Sequence, residues 1–317
     1  MRWLLWLLMT HCALSFGPHP LGLISCVTTE WLAEHLGDVK LLDVRGVVLK
    51  EQQGDLIKTE YAGLQGDYVD SHIPGAVFVD WTKDIAFTDM NGVRAQLCGR
   101  EDFVTAMEER GVSGDSKVVV YDNGLMLFAT RLWWAMRRFG HTNVAVLDGG
   151  WAKWEAEGRP VSADVPCPLK LYTEWGIGEE LEQPQLQCNL EDVMRALEDQ
   201  DSSYQLLDAR ASEQHNGSTR RATRAGCIPT SLSAPYRSFL QDGEEYSTLI
   251  SPGTMQSVLE SAGVDVTSPV MAYCNGGVAS TLALFALHQL GNNMFTNYDG
   301  SWNEWGNRSD TPVEVKY

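Results

Sequence analysis

The stretch with the clearest chemical potential is Tyr273-Cys274-Asn275-Gly276-Gly277-Val278-Ala279-Ser280. An apolar run ends at a single cysteine, two glycines follow within three residues, and a helical pattern begins. Glycine permits positive φ and close approach of the backbone. Successive N–H groups in such a loop converge into an anion-binding nest, just ahead of a helix N-terminus whose dipole has the same sign. A thiolate placed there is stabilised relative to the thiol and becomes a nucleophile. Cys274 is therefore the candidate catalytic residue, and Asn275, Gly276, Gly277, Val278 and Ala279 are the candidate substrate cradle. The competing reading is a buried cysteine in a glycine-rich turn, since free cysteine is among the most buried residue types.

A duplication argues for the chemical reading. Leu41-Leu42-Asp43-Val44-Arg45 recurs as Leu206-Leu207-Asp208-Ala209-Arg210, and Ser71-His72-Ile73-Pro74-Gly75-Ala76 has a weaker echo at Gly226-Cys227-Ile228-Pro229-Thr230. Val118 to Gly124 matches Val270 to Gly276, and Leu147 to Trp154 matches Tyr298 to Trp305. Four markers in one order define a tandem repeat. The first copy has Asp122 at the Cys274 position, so only the second keeps a sulfur nucleophile.

Each copy alternates short apolar strands with longer helical patterns. Val118–Tyr121 and Pro269–Tyr273 read as strands, Phe128–Phe139 and Val278–Leu290 as helices closed by Gly140 and Gly291 at C′. This alternation predicts an α/β protein of two tandem domains, each a parallel sheet with helices on both faces. Functional loops then lie at the carboxyl ends of strands, where Cys274 falls. The first domain is expected over 24–160 and the second over 188–312. Between them, 161–187 has several prolines and acidic residues and reads as a linker over the surface.

Composition narrows the partners. The 317 residues carry 44% hydrophobic and 21% charged side chains, a globular balance suited to two domains at roughly 100–200 residues each. The 24 Lys and Arg against 42 Asp and Glu give a net charge of −18, which argues against a nucleic-acid partner. The seven cysteines include no Cys-x-x-Cys pair, so no structural metal site is expected; one or two disulfides remain open for a secreted chain. Met1-Arg2, the apolar run Trp3 to Met9 and Ala13-Leu14-Ser15 have the layout of a signal peptide, placing a targeting segment at 1–18. With Phe16 added, the segment also resembles a plastid-type cleavage motif. The secretory route and the plastid are thus the first compartments to consider, with the mitochondrion and cytoplasm as alternatives. No other stretch is apolar enough for a membrane helix, so no membrane partner is expected.

The segment Tyr68 to Val79, carrying His72-Ile73-Pro74-Gly75-Ala76, resembles the aromatic-x-x-x-His-Ile-Pro-Gly-Ala signature of the rhodanese family. Asp299-Gly300-Ser301-Trp302-Asn303-Glu304-Trp305 and the Cys274 loop are similar to two further family motifs, over about residues 24–312 in all. Asp122 in place of cysteine is also typical of two-domain members. The resemblance implies a sulfurtransferase without cofactor or metal. Cys274 would attack the outer sulfur of thiosulfate or 3-mercaptopyruvate, hold it as a persulfide, and pass it to cyanide or a thiol. The partners implied are a small-molecule donor and acceptor, with a thioredoxin-like reductant as a further candidate.

Several positions depart from the family pattern. Thiosulfate-using members carry basic residues just after the cysteine, and mercaptopyruvate-using members carry Gly then Ser; here Asn275 and Gly276 stand there. A family histidine would fall near Gln96, and the donor-binding arginine would fall at Gln214. Arg220, Arg221 and Arg224 lie downstream and are candidates to replace it, against the reading of a solvated basic loop. Cys227 replaces the histidine before Ile-Pro, as a second thiol or as a small buried residue. Asp43–Arg45 and Asp208–Arg210 are expected to brace the loops. Trp133, Trp134, Trp151 and Trp302 are expected in the core or domain interface, and His288 as an ordinary satisfied histidine. The departures leave a rival reading, a rhodanese-fold persulfide carrier or binding module. A Cys-x5-Arg phosphatase is discounted because position 280 is Ser.

Overall fold

The computed structural model describes residues 25–54, 56–164, 173–199 and 202–316. The targeting segment expected at 1–18 lies outside the described residues.

The central strands Val118–Tyr121 and Val270–Tyr273 are wholly buried four-residue runs, as strands covered on both faces must be. The first is flanked by Lys40–Asp43 and Val144–Leu147, with Val77–Phe78 and Cys26–Val27 at the edges; every neighbour pair is parallel. The second sheet repeats this order around Val270–Tyr273, with Gln205–Asp208 and Phe295–Tyr298 beside it and Leu232–Ser233 and Gln187–Cys188 outside. The strand begins at Val270 rather than Pro269, whose ring leaves no N–H for the ladder.

The helices following the two central loops span Leu127–Arg138 and Ser280–Gln289. Both end as expected, on glycines in the left-handed region (Gly140 φ 89°, Gly291 φ 85°). His141 N–H donates to Met136 O and Asn292 N–H to Leu287 O, closing each helix with the bond pattern of a Schellman cap. The second helix starts two residues later than the periodicity predicts, because Val278 and Ala279 belong to the turn that Gly277 opens at φ 71°.

These two helices pack on each other and join the domains. Trp133 meets Phe285 edge-on at 4.9 Å, and Thr130 and Thr281 share a hydrogen bond of 3.0 Å. Trp133 thus lies at the interface, Trp134 is buried with its indole N–H on Leu186 O of the interdomain segment, and Trp151 and Trp302 are buried under Arg45 and Arg210. His288 bonds Ser25 Oγ and Asn293 Oδ1.

Two features depart from the expected layout. The segment between the domains is more than a surface linker. Trp175, Ile177 and Leu186 are buried, and Glu182 pairs with both Arg100 (2.9 Å) and Arg138 (2.8 Å) of the first domain. The first domain also extrudes an antiparallel hairpin, Gly46–Gln53 with Leu56–Gly63, where the second has only a short helix, Ser212–His215. The hairpin crosses to the second domain, where Ile57 N–H donates to Arg220 O at 3.2 Å.

Among the described residues, Cys26, Cys98, Cys188, Cys227 and Cys274 are free thiols. No helix among them is long and apolar enough to cross a membrane, and no His/Cys/Asp/Glu group is arranged to hold a metal.

Candidate active site

Cys274 follows the last residue of the central strand and is 3% exposed, yet it lines a cleft of about 550 Å³ between the domains. Asn275, Gly276, Val278 and Ala279 line the same cleft. Gly277 stands behind them, and a side chain there would collide with Asp299.

The loop is held from three sides. Ser301, at φ 50°, accepts the N–H groups of Cys274 (3.1 Å) and Gly277 (3.0 Å) on its hydroxyl and donates to Tyr298 O. Trp302 N–H donates to Cys274 O and Asn303 N–H to Asn275 O. From the first domain, the fully buried Arg131 donates to Gly277 O (3.0 Å) and Asp299 Oδ1 (2.5 Å) through one nitrogen and to Ala95 O (2.9 Å) through another. Two loop amides are thus engaged by Ser301 rather than all converging on the sulfur, which corrects the simplest form of the nest. Ser280 Oγ lies 3.6 Å from the sulfur and bonds Asn297 Oδ1.

The first domain shows what the remaining amides do. Trp151 N–H donates to Asp122 O and Ala152 N–H to Asn123 O, the same bonds that hold Cys274 and Asn275. With that register fixed, the Asp122 carboxylate accepts N–H bonds from Gly124 (2.8 Å), Met126 (3.0 Å), Phe128 (3.0 Å) and Ala129 (3.3 Å). Gly276, Val278 and Ser280 occupy the positions of Gly124, Met126 and Phe128. The folded loop is a receptor for one negative group, filled from within in the first copy.

Below the loop, Asp208 and Arg210 form a buried ion pair at 2.6 Å, and Arg210 reaches Gly226 O. Tyr273 OH and His215 Nδ1 also contact Asp208. Burial opposes the Asp208 charge, but Arg210 and the hydrogen bonds overcome it and lower its pKa to about 2. Burial also opposes the His215 charge, which would lower its pKa, but hydrogen bonding and charge from Asp208 and Cys227 raise it to about 9. Asp43, Arg45 and Tyr121 repeat this brace in the first domain.

The three candidate arginines separate. Arg221 lines the cleft, and its Nε is buried without a partner. Arg220 does not line it; its side chain turns back to Thr223 O. Arg224 staples Trp305 O and Thr311 O. Arg220 and Arg224, expected as substrate-binding candidates, thus do not line the cleft. Gln214 donates to Asn275 Oδ1 at 3.0 Å. Gln96 is outside the cleft and donates to Asp299 O. Cys227 is fully buried, pairs with Glu314 through its backbone and does not line the cleft.

Sequence reasoning misses the first domain's contribution. Tyr61, on the hairpin, sits against the loop: a side chain at Gly276 would meet Tyr61 OH at 3.0 Å and Asn303 Nδ2 at 2.9 Å. The phenol fills the space a serine at 276 would need. Asn303 Nδ2 donates to it, and burial raises its pKa, so it stays a hydroxyl at neutral pH. Lys50 of the hairpin and Arg237 also line the cleft. The one available signal was the unexplained loss of the family serine at 276.

The comparisons with known proteins agree with this geometry. The model of the rhodanese-like domain matches twice, over residues 28–157 and 189–308. A 3-mercaptopyruvate sulfurtransferase of Escherichia coli K12 is 31% identical over 301 residues, covering 91% of this chain and 97% of that protein. The thiosulfate/3-mercaptopyruvate sulfurtransferase 2 of Arabidopsis thaliana is 30% identical, covering 90% and 85%. A crystal structure of an Escherichia coli 3-mercaptopyruvate sulfurtransferase superposes with a TM-score of 0.72 at 29% identity, covering 88% of this chain and 98% of that one. With both domains matched and its full-length relatives covered nearly end to end, the chain belongs to the rhodanese family, among its tandem-domain sulfurtransferases.

Proposed function

We propose that Cys274 carries the transferred sulfur and that 3-mercaptopyruvate is the preferred donor. The Cys274 thiolate attacks the donor sulfur. The carbon–sulfur bond breaks, its electron pair passes to the carbon, and the resulting pyruvate enolate takes a proton. An acceptor thiolate or cyanide then attacks the outer sulfur of the persulfide, and the electron pair of the broken S–S bond returns to Cys274. Free amides at Gly276, Val278 and Ser280 stabilise the anionic sulfur as preorganised dipoles. The observation that carries this reading is Asp122, a carboxylate bound by four amides of the duplicate loop.

The donor preference follows from where the cations lie. No basic residue follows Cys274 in its loop, and Arg221 and Lys50 stand elsewhere on the cleft wall. That suits a donor whose carboxylate is separated from its sulfur by carbon atoms, rather than thiosulfate, whose charge is bonded directly to the sulfur. Tyr61 OH is the hydroxyl placed to protonate or hydrogen-bond the leaving enolate. A thioredoxin-like dithiol is an alternative acceptor and would release the sulfur as sulfide.

The test is Cys274→Ser assayed with both donors, cyanide and a small thiol, alongside mass spectrometry of donor-treated wild type. Turnover should vanish in the variant, and the wild type should gain one sulfur on Cys274. Full activity in the variant refutes the assignment. A persulfide that forms without turnover replaces the enzyme by a carrier.

A further inference from the structure

A second groove, of about 450 Å³, lies beside the Cys274 cleft. The contact between Tyr61 OH and Asn303 Nδ2, 3.3 Å long, stands where the two meet. One wall is the first-domain hairpin, with Lys50 and Lys58; the other is the second domain, with Asn303 and Asn307; Arg94 and Arg221 complete it. Lys50 and Arg221 line both spaces. The groove's four cations face two carboxylates, Glu51 and Glu60, in a chain whose net charge is −18. Glu51 lies directly across the hairpin from Lys58. The local surplus of two positive charges therefore runs against the field of the whole molecule. Arg221 Nε is buried without a partner among the described residues, so its charge is not neutralised by a carboxylate at that atom.

We propose that this groove binds the sulfur acceptor, and that the acceptor is a small thiol carrying two carboxylates. The inference rests on the sulfurtransferase reading of Cys274. Two carboxylates match the surplus charge, and side-by-side spaces let a thiol held in the groove reach the persulfide past Tyr61. Transfer is a two-step exchange in which the donor's carbon product leaves before the acceptor binds, so both ligands use Lys50 and Arg221 in turn. The acceptor thiol loses its proton to solvent, its sulfur bonds the outer persulfide sulfur, and the old S–S bond's electrons return to Cys274. The product is the persulfide of the acceptor.

The experiment uses 3-mercaptopyruvate as donor and compares glutathione, which has two carboxylates, with neutral 2-mercaptoethanol. Lys58→Gln and Arg94→Gln alter the groove without touching the donor cleft and sit on separate segments. Each should raise the KM for glutathione about 1.5- to fivefold, the range for an exposed charge pair, with kcat unchanged. The KM for 2-mercaptoethanol should not move, and only the glutathione KM should climb with ionic strength. Equal effects on both thiols, or none on glutathione, overturn the proposal. Turnover with 2-mercaptoethanol reports separately on sulfur transfer itself, so its loss would count against Cys274 rather than the groove.

Discussion

Replacing Arg131 by Met separates the structural bond between the domains from the chemistry at Cys274. The guanidinium is fully buried, stacks on Trp134 at 4.5 Å, and pairs with the buried Asp299 carboxylate. Methionine keeps most of the apolar stem but leaves that carboxylate, among the described residues, with Leu97 N–H (2.7 Å) and Gln187 Nε2 (3.2 Å). Breaking a buried pair from one side costs about 3–5 kcal/mol, because the remaining charge is uncompensated. The loss should appear as a lower urea midpoint at pH 7. Asp299→Asn in the same background removes the stranded charge and should recover part of it. A second effect is kinetic. Gly277 O loses one of its two donors, keeping Asn297 Nδ2 at 2.9 Å, and a loop that shifts by about 1 Å can cost on the order of 100-fold in rate. Activity in Arg131→Met should therefore fall even where the protein is fully folded. A cost below about 1 kcal/mol, or no recovery from Asp299→Asn, refutes the view that this ion pair secures the active loop across the interface.

Two further outcomes follow from the site's geometry and charge. Gly276→Ser places a side chain against Tyr61 OH and Asn303 Nδ2, so kcat/KM should drop about tenfold or more; adding Asn303→Ala relieves the closer of the two contacts while leaving the Tyr61 hydroxyl in place and should restore part of it, as steady-state kinetics on the single and double variants will show. His215, raised to about 9 by Asp208 and Cys227 against the opposing effect of burial, is protonated in the folded state well above its unfolded value of about 6.5. Its stabilising contribution is complete below about pH 6.5 and is lost as the pH rises through about 9, so urea midpoints should decline across that window in wild type and less steeply in His215→Gln.

Much of the molecule is written locally in the chain. Apolar runs that end at Asp122 and Cys274, glycines in the following loops, and Gly140 and Gly291 at the helix ends each act on near neighbours, so the paired domains, the central strands and the loop that brings Cys274 to the cleft are readable in order. The same logic fails for side chains that act at a distance. Tyr61 reaches the catalytic loop over more than two hundred residues, and Arg131 meets Asp299 across the interface, with no local pattern to mark either. The basic run at Arg220–Arg224 shows the limit within a few residues: chain direction sends one guanidinium to the cleft, one to Thr223 and one to Trp305. Trp175 was hidden by its surroundings, since prolines and acidic residues near it read as a linker while the indole itself is buried.

The duplicate loops explain why one chain keeps two copies when only one has sulfur. In the first copy a carboxylate satisfies the loop amides from within, and the facing residue is Gly150, where any side chain would run into Asp122 O at 2.5 Å and Gly124 N at 2.9 Å. In the second copy the shorter cysteine leaves amides unclaimed, and Ser301 occupies the Gly150 position at φ 50°, its hydroxyl pinning Cys274 and Gly277. Asp122 with Gly150 and Cys274 with Ser301 are thus two self-consistent solutions of one backbone. The first is closed to an external anion and rigid. The second is held open at the cost of a strained serine, and the strain is tolerable because the hydroxyl makes three hydrogen bonds and the loop is gripped from outside by Arg131. The closed copy is what makes the open one sustainable: it supplies Arg131, Tyr61 and Lys50, none of which the domain holding Cys274 carries itself.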